Sequence, residues 1–109
     1  MNRRMYRICL TVPLGDRSGT LLLREKKSCV DGYIDVMNRK NPFTGIIADD
    51  GRLVLSGAVS TLMNTVNYTA MGTVGGGKIS LKLRTDSGVY YSLVGEERPV
   101  NGKVLQTHS

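Results

Sequence analysis

The chain has no tryptophan and only one histidine, one phenylalanine, two cysteines and three prolines among its 109 residues. No apolar run approaches the roughly 20 residues that a transmembrane helix needs. Two cysteines and one histidine are too few for a disulfide scaffold or for a structural zinc site, which takes about four such ligands. The single histidine, His108, stands next to the C-terminal residue, where rigid placement is not expected. We therefore expect no catalytic residue, no metal ion, no cofactor and no enzymatic activity.

The positive charge of the chain is concentrated at its two ends. The formal net charge is +6, and residues 1–18 contribute four arginines against one aspartate. Residues 98–109 add two basic residues and no acidic one, whereas residues 19–97 are nearly neutral. A basic excess at chain ends is more typical of a soluble surface than of a polyanion-binding domain. Nucleic acid is therefore not the favoured partner.

The N-terminal segment begins with two arginines, as a signal peptide would. Its apolar part is short, alternates with polar residues and runs into Pro13 without a small-residue cleavage pattern. We interpret the segment as a β-strand and expect a cytoplasmic protein without a membrane partner. In that compartment Cys9 and Cys29 would be reduced thiols.

Strict alternation of apolar and polar residues is the strongest pattern in the sequence, and it predicts strands. In the first segment Tyr6, Ile8, Leu10 and Val12 share one face. Seven more strands are predicted at about residues 19–27, 29–38, 43–49, 51–61, 65–74, 78–85 and 88–97. The pattern thus predicts an all-β single domain over residues 3–97, followed by a polar tail at 98–109 that we expect to be mobile.

Turn-forming residues separate these strands. Residues 50–51, 75–77 and 86–88 are rich in Gly and Asp and predict tight hairpins. Residues 15–19 and 38–42 predict slightly longer loops. Sequential strands joined by short turns indicate an antiparallel up-and-down meander.

Closure of this meander into a barrel would remove the exposed edges that an open sheet presents. Five glycines inside the predicted strands fit the sharp bends that a barrel requires: Gly32, Gly45, Gly57, Gly72 and Gly95. We favour an eight-stranded barrel, with a two-sheet sandwich as the alternative. In strand count the layout is similar to calycin-like barrels such as lipocalins and avidins. The resemblance extends to topology alone, because the tryptophan signatures of those families are absent, and it implies no ligand and no site residue.

Tyrosines are the best candidates for a ligand site. Tyr6, Tyr68 and Tyr91 are predicted to point inward, whereas Tyr33 and Tyr90 are predicted to point outward. An inward tyrosine offers an apolar ring and a hydrogen-bonding tip, which suits a packed core or a small cavity. If the barrel holds a small apolar ligand, these three inward tyrosines should line it.

A second candidate surface is the polar face of the seventh strand. Lys78, Lys82 and Arg84 project from the same side, as Ser80 does, and could contact a polyanion. A solvated strand face explains the same pattern, since no stacking aromatic residue lies on this strand.

Three functions follow from these features. The first is a non-enzymatic binding or protein-interaction module, with a small apolar ligand inside the barrel as one form of it. The second is a structural protein that forms a homodimer through a sheet edge. The third is weak polyanion or nucleic-acid binding through the basic ends.

Overall fold

The computed structural model describes residues 2–13, 15–60 and 64–98. Within these ranges the chain forms eight strands: β1 (Asn2–Val12), β2 (Gly15–Lys26), β3 (Cys29–Val36), β4 (Arg39–Ile47), β5 (Arg52–Ser60), β6 (Thr65–Gly75), β7 (Lys78–Thr85) and β8 (Tyr90–Arg98). The predicted tail from residue 99 onward, including His108, lies outside the described residues.

The eight strands close into a single barrel in sequence order. Every neighbouring pair is antiparallel, and β1 pairs with β8 to complete the cylinder. The predicted barrel is confirmed, and the alternative of a two-sheet sandwich is wrong. Closure joins each strand to two neighbours, and the homodimer through a sheet edge stays a prediction.

Alternation along each strand divides the barrel into a packed interior and a solvated wall. In β7 the residues Ile79, Leu81 and Leu83 are buried, whereas Lys78 and Lys82 are exposed. The core is made of aliphatic side chains with three aromatic rings, Tyr6, Phe43 and Tyr68. A barrel of eight strands has an interior just wide enough for such filling. Side chains from all eight strands therefore hold the barrel together.

Two predicted loops are wrong. Residues 15–19 belong to β2, where Gly15 pairs with the last residue of β1. Residues 39–42 belong to β4, because the β3–β4 turn takes only Met37 and Asn38, with φ of 54° and 63°. Such a left-handed two-residue turn matches the twist of the flanking strands. Both segments are polar, and most of their residues are exposed or half-buried, although Asn41 is buried. Polar strand residues resemble loop residues in a sequence.

Gly32 shows why the strand glycines are required. A Cβ atom at this position would collide with the carbonyl oxygen of Leu22 on β2, and the ring of Phe43 lies 3.2 Å away. Only a residue without a side chain allows β3 to approach β2 so closely. The predicted role of this glycine as a bend is consistent with its place in the barrel wall.

Each end of the barrel is formed by its own set of strand connections. The N-terminal end holds the start of β1 and the connections at residues 27–28, 48–51 and 76–77. The distal end holds the connections at residues 37–38 and 86–89 and the last residue of β1. Because strand direction alternates, residues late in β1, β3, β5 and β7 lie near the distal end.

Candidate ligand site at the distal end

Two of the three inward tyrosines lie toward the same end of the barrel. Tyr68 pairs with Thr85, the last residue of β7, and Tyr91 pairs with Leu83 on the other side of that strand. Both therefore lie near the distal end. Tyr6 pairs with Glu97, which is six residues beyond Tyr91, or about 20 Å along β8 at the usual strand rise. Tyr6 belongs to the opposite end of the barrel and not to the same site.

The three tyrosines also differ in how deeply they are buried. Tyr6 and Tyr68 are 1% and 4% exposed, as the alternation predicts. Tyr91 is half-buried and packs against the edge of the core. It is placed at the rim of the barrel, where its hydroxyl can reach solvent while its ring covers apolar side chains.

The hydroxyl of Tyr68 is buried and has no hydrogen-bond partner among the described residues. Burial raises the pKa of Tyr68 well above its usual range, so the group is a neutral O–H at physiological pH. A phenol can donate one hydrogen bond and accept others. Leaving such a group unpaired in an apolar interior costs about 1–3 kcal/mol. Tyr68 is thus a polar group that the surrounding protein does not satisfy.

A seam in the sheet lies beside this hydroxyl. The β4–β5 ladder begins only at Phe43 and Gly57, so residues 39–42 have no partner on β5. The Asn41 side chain bridges this gap. Its amide nitrogen donates to the carbonyls of Ile34 (3.0 Å) and Arg39 (3.1 Å).

The amide oxygen of Asn41 spans the gap between β4 and β5. This Oδ1 atom accepts a hydrogen bond from the backbone N–H of Ser60 at 3.0 Å, in place of the missing ladder. Pro42 is tolerated here because it has no ladder partner on β5. The sequence analysis missed Asn41, since an asparagine next to a proline is typical of a loop.

Apolar, half-buried side chains form a rim at the distal end. Val12 and Met37 join Tyr91 in packing against the core at this end. The nearby Thr85 hydroxyl is already paired, accepting from the Val89 N–H at 3.0 Å and lying 3.1 Å from the Ser87 hydroxyl. Among the described residues, the distal end therefore has apolar side chains packed against the core and the unpartnered hydroxyl of Tyr68.

The N-terminal end has a charged groove. It is lined by ionic side chains that include Arg4, Glu25, Asp49 and Asp50. Burial raises the pKa of Tyr6, an effect that a hydrogen bond from Arg4 opposes. The Tyr6 hydroxyl accepts this bond from Arg4, so it is not left without a partner as the Tyr68 hydroxyl is.

The predicted basic stripe is exposed on the outer wall. Lys78, Lys82 and Arg84 all face solvent, and none of them forms an ion pair with another described residue. The structure adds an aromatic residue that the sequence analysis did not connect with them. Tyr90 lies opposite Arg84 and is 57% exposed, with the Lys82 Nζ 5.7 Å from its ring centroid. Whether this surface binds a polyanion stays a prediction.

Other candidate chemistry is sparse in the part of the chain that the structure covers. Cys9 and Cys29 are free thiols on different strands. The described residues contain no cluster of three or more His, Cys, Asp or Glu side chains suited to a metal ion. They also contain no helix with the length and apolarity needed to cross a bilayer.

The molecule belongs to the class of closed, eight-stranded antiparallel barrels. It is similar to a redesigned β-barrel, mFAP1, bound to DFHBI, with a TM-score of 0.67 and 11% identity over 84% of this chain and 91% of that one. A second redesigned β-barrel, b11L5F_LGL, has a TM-score of 0.68 and 10% identity over 87% of this chain and 90% of the other. At these identities the likeness establishes the fold alone. No family model and no curated protein matches the sequence.

Proposed function

We propose that the chain is a non-enzymatic barrel that binds a small, mainly apolar molecule at its distal end. The observation that carries this proposal is the buried, unpartnered hydroxyl of Tyr68. A bound molecule with a hydrogen-bond acceptor would satisfy that hydroxyl and remove the desolvation cost of leaving it unpaired. Binding sites of this kind combine apolar walls with a few placed polar groups.

The rim residues define how such a molecule would be held. Val12, Met37 and Tyr91 offer apolar surface, and a methionine side chain readily changes shape to admit a ligand. The interior beyond Tyr68 is filled with aliphatic side chains, so the bound molecule would have to be small and lie at the rim. The ligand class is therefore a compact apolar or aromatic compound with one carbonyl, phenol or similar acceptor.

A barrel of similar fold supports the feasibility of this function. The structure of the redesigned barrel mFAP1 was determined with DFHBI bound. An eight-stranded barrel can thus hold a small organic molecule, as the size of its interior suggests. The ligand of that design is not assigned to this chain, but it is a practical probe.

Calorimetric titration with DFHBI tests the proposal. Tyr68→Phe removes only the hydroxyl and should weaken binding about three- to tenfold, the worth of one net hydrogen bond. Tyr33→Phe is the matched control, because Tyr33 lies on the outer wall under Lys40. The affinity of the Tyr33→Phe variant for DFHBI should equal that of the unmodified chain. Equal affinity for all three chains, or heat from none of them, would count against a site at Tyr68.

A second candidate function is weak polyanion binding by the outer wall. The observation that favours it is the placement of exposed Tyr90 beside Lys82 and Arg84, since bases stack on aromatic rings and phosphates contact cations. Anisotropy of a labelled oligothymidine should then fall steeply with salt, and Lys82→Gln should reduce the salt slope by about one. Binding that is unaffected by salt would exclude this function.

We also infer that the chain works in a reducing compartment such as the cytoplasm. Support comes from its free thiols, one of which, Cys29, is exposed. A non-reducing purification that leaves both thiols titratable would agree with this inference, and a quantitative intermolecular disulfide would contradict it.

A further inference from the structure

The ladder between β4 and β5 is the shortest in the barrel. It has five residue pairs, from Phe43–Gly57 to Ile47–Leu53, whereas every other ladder between the described strands has at least seven. Residues 39–42 of β4 and 58–60 of β5 continue toward the distal end without pairing to each other. These two stretches bound the seam, which is therefore the part of the barrel wall with the least backbone pairing.

The Asn41 side chain holds the seam closed. It is 4% exposed and donates to the carbonyl of Ile34 on β3, while its Oδ1 accepts from the Ser60 N–H on β5 at 3.0 Å. Pro42, the next residue, has no N–H to contribute to a ladder. Beyond the Phe43–Gly57 pair, a single side-chain hydrogen bond thus takes the place of backbone pairing.

The unpartnered hydroxyl of Tyr68 lies at the inner end of this seam. Its oxygen is 3.1 Å from the position that a Cβ atom of Gly57 would take, and the Pro42 carbonyl oxygen is 2.6 Å from the same position. The phenol tip therefore reaches the last pair of the β4–β5 ladder from inside the barrel, next to the first residue of the seam. A molecule that passed between the two strands there would meet this hydroxyl first.

We propose that a small molecule reaches Tyr68 through the seam, and that the Asn41–Ser60 hydrogen bond opens to admit it and closes behind it. The inference rests on the proposed function, because it concerns access to the same hydroxyl. It assigns Asn41 a role in the rates of binding, whereas Tyr68 acts on the affinity.

Other paths to the hydroxyl are obstructed. From above, Val12, Met37 and Tyr91 pack against the core. Through the wall on the other side of β4, every residue of β3 from Cys29 to Val36 is paired, so separating those strands would break a complete backbone ladder. Parting the seam costs far less, because a net hydrogen bond is worth little when water can replace the lost partner.

Stopped-flow absorbance of DFHBI tests the role of Asn41. Asn41→Ala removes the bond to Ser60 from both the free and the bound protein, so it lowers the barrier to passage and leaves the difference between the two states alone. Association and dissociation should both accelerate about two- to tenfold, the worth of one net hydrogen bond, with Kd unchanged within about twofold. A purely structural role for Asn41 would not produce equal changes in the two rate constants.

Asn67→Ala is the matched control for Asn41→Ala. The Asn67 side-chain amide donates to Asp86 in an exposed contact. Both rate constants of this variant should equal those of the unmodified chain. Circular dichroism checks that each variant keeps the barrel.

Hydrogen exchange of the unmodified chain gives a second measurement that needs no variant to fold. Saturating DFHBI should slow exchange of the Ser60 N–H, because an occupied seam opens only when the molecule leaves. The Val74 N–H, which donates to the Gly51 carbonyl at 2.9 Å near the N-terminal end, should respond much less.

The outcomes separate this inference from the proposed function. Absence of DFHBI binding, or binding that Tyr68→Phe does not weaken, would overturn the proposed function and the access route with it. If binding depends on Tyr68, the route alone is overturned by unchanged rate constants in Asn41→Ala, by a change in dissociation without one in association, or by Ser60 exchange that DFHBI does not slow.

Discussion

Tyr68 lies directly opposite Gly57 across the β5–β6 ladder, and its hydroxyl oxygen is 3.1 Å from where a Cβ atom of Gly57 would lie. An aromatic ring over a strand glycine covers backbone that would otherwise be poorly packed. The same arrangement carries the phenol tip to the seam where the β4–β5 ladder begins. The glycine thus makes room for a hydroxyl that has no hydrogen-bond partner among the described residues.

Tyr68→Phe should raise the free energy of unfolding of the ligand-free protein by about 1–3 kcal/mol. The variant keeps the ring and removes the buried, unpartnered hydroxyl with its desolvation cost. Urea unfolding measures the change, and Tyr33→Phe on the outer wall should alter stability much less. A destabilised Tyr68→Phe protein would show that the hydroxyl has a partner that stabilises the fold.

Stability should decline above about pH 10, where an exposed tyrosine ionises. Burial raises the pKa of Tyr68 in the folded state, so this group keeps its proton in the barrel and loses it in the unfolded chain. The unfolded state then binds fewer protons, and the free energy of unfolding falls as pH rises. Between pH 8 and 11, the free energy of unfolding should decline less steeply with pH for Tyr68→Phe than for the unmodified chain. If the free energy of unfolding fell equally steeply with pH in both proteins, the burial of a neutral Tyr68 phenol would be contradicted.

Gly57→Ala should destabilise the barrel by about 1–3 kcal/mol or more, the usual cost of overpacking. The new methyl group would lie 2.6 Å from the carbonyl oxygen of Pro42, which is backbone and cannot move aside easily. It would also press on the Tyr68 hydroxyl. Ser56→Ala, one residue away on the outer wall, is the control. Equal urea midpoints for the two variants would contradict the tight approach at Gly57.

Asn41→Leu should cost about 1–3 kcal/mol for each buried backbone group that loses its partner. The Ser60 N–H depends on the Asn41 amide oxygen, and hydrogen exchange at Ser60 should accelerate accordingly. Asn67→Leu provides the comparison, because the Asn67 side-chain amide donates to Asp86 in an exposed contact. Unchanged protection of Ser60 would show that the seam is closed by other means.

Most of the fold follows from the sequence, because a side-chain period of two reports which face of a strand is buried. The inward positions of Tyr6 and Tyr68 and the exposure of Lys78 were predicted in this way and are confirmed. Closure was expected from the cost of open edges. Strand ends were less accurate where polar residues 15–19 and 39–42, most of them exposed or half-buried, continue a ladder.

The arrangement of the candidate site could not be predicted, because it depends on register between strands. Alternation places three tyrosines in the interior but does not show that Tyr6 lies at one end and Tyr68 at the other. Register also brings Tyr90 beside Arg84 and aligns Ile46 with Val54. Each of these pairings joins residues whose individual exposure the sequence does indicate.

The central claim is that the Tyr68 hydroxyl holds a small molecule at the distal end of the barrel. The most direct test is native mass spectrometry of the untagged chain and of Tyr68→Phe, each produced in the source cells and purified without denaturation. The claim predicts a retained small-molecule mass on the unmodified chain that is reduced or absent in the variant. Bare protein in both spectra, or the same adduct at the same occupancy in both, would contradict it.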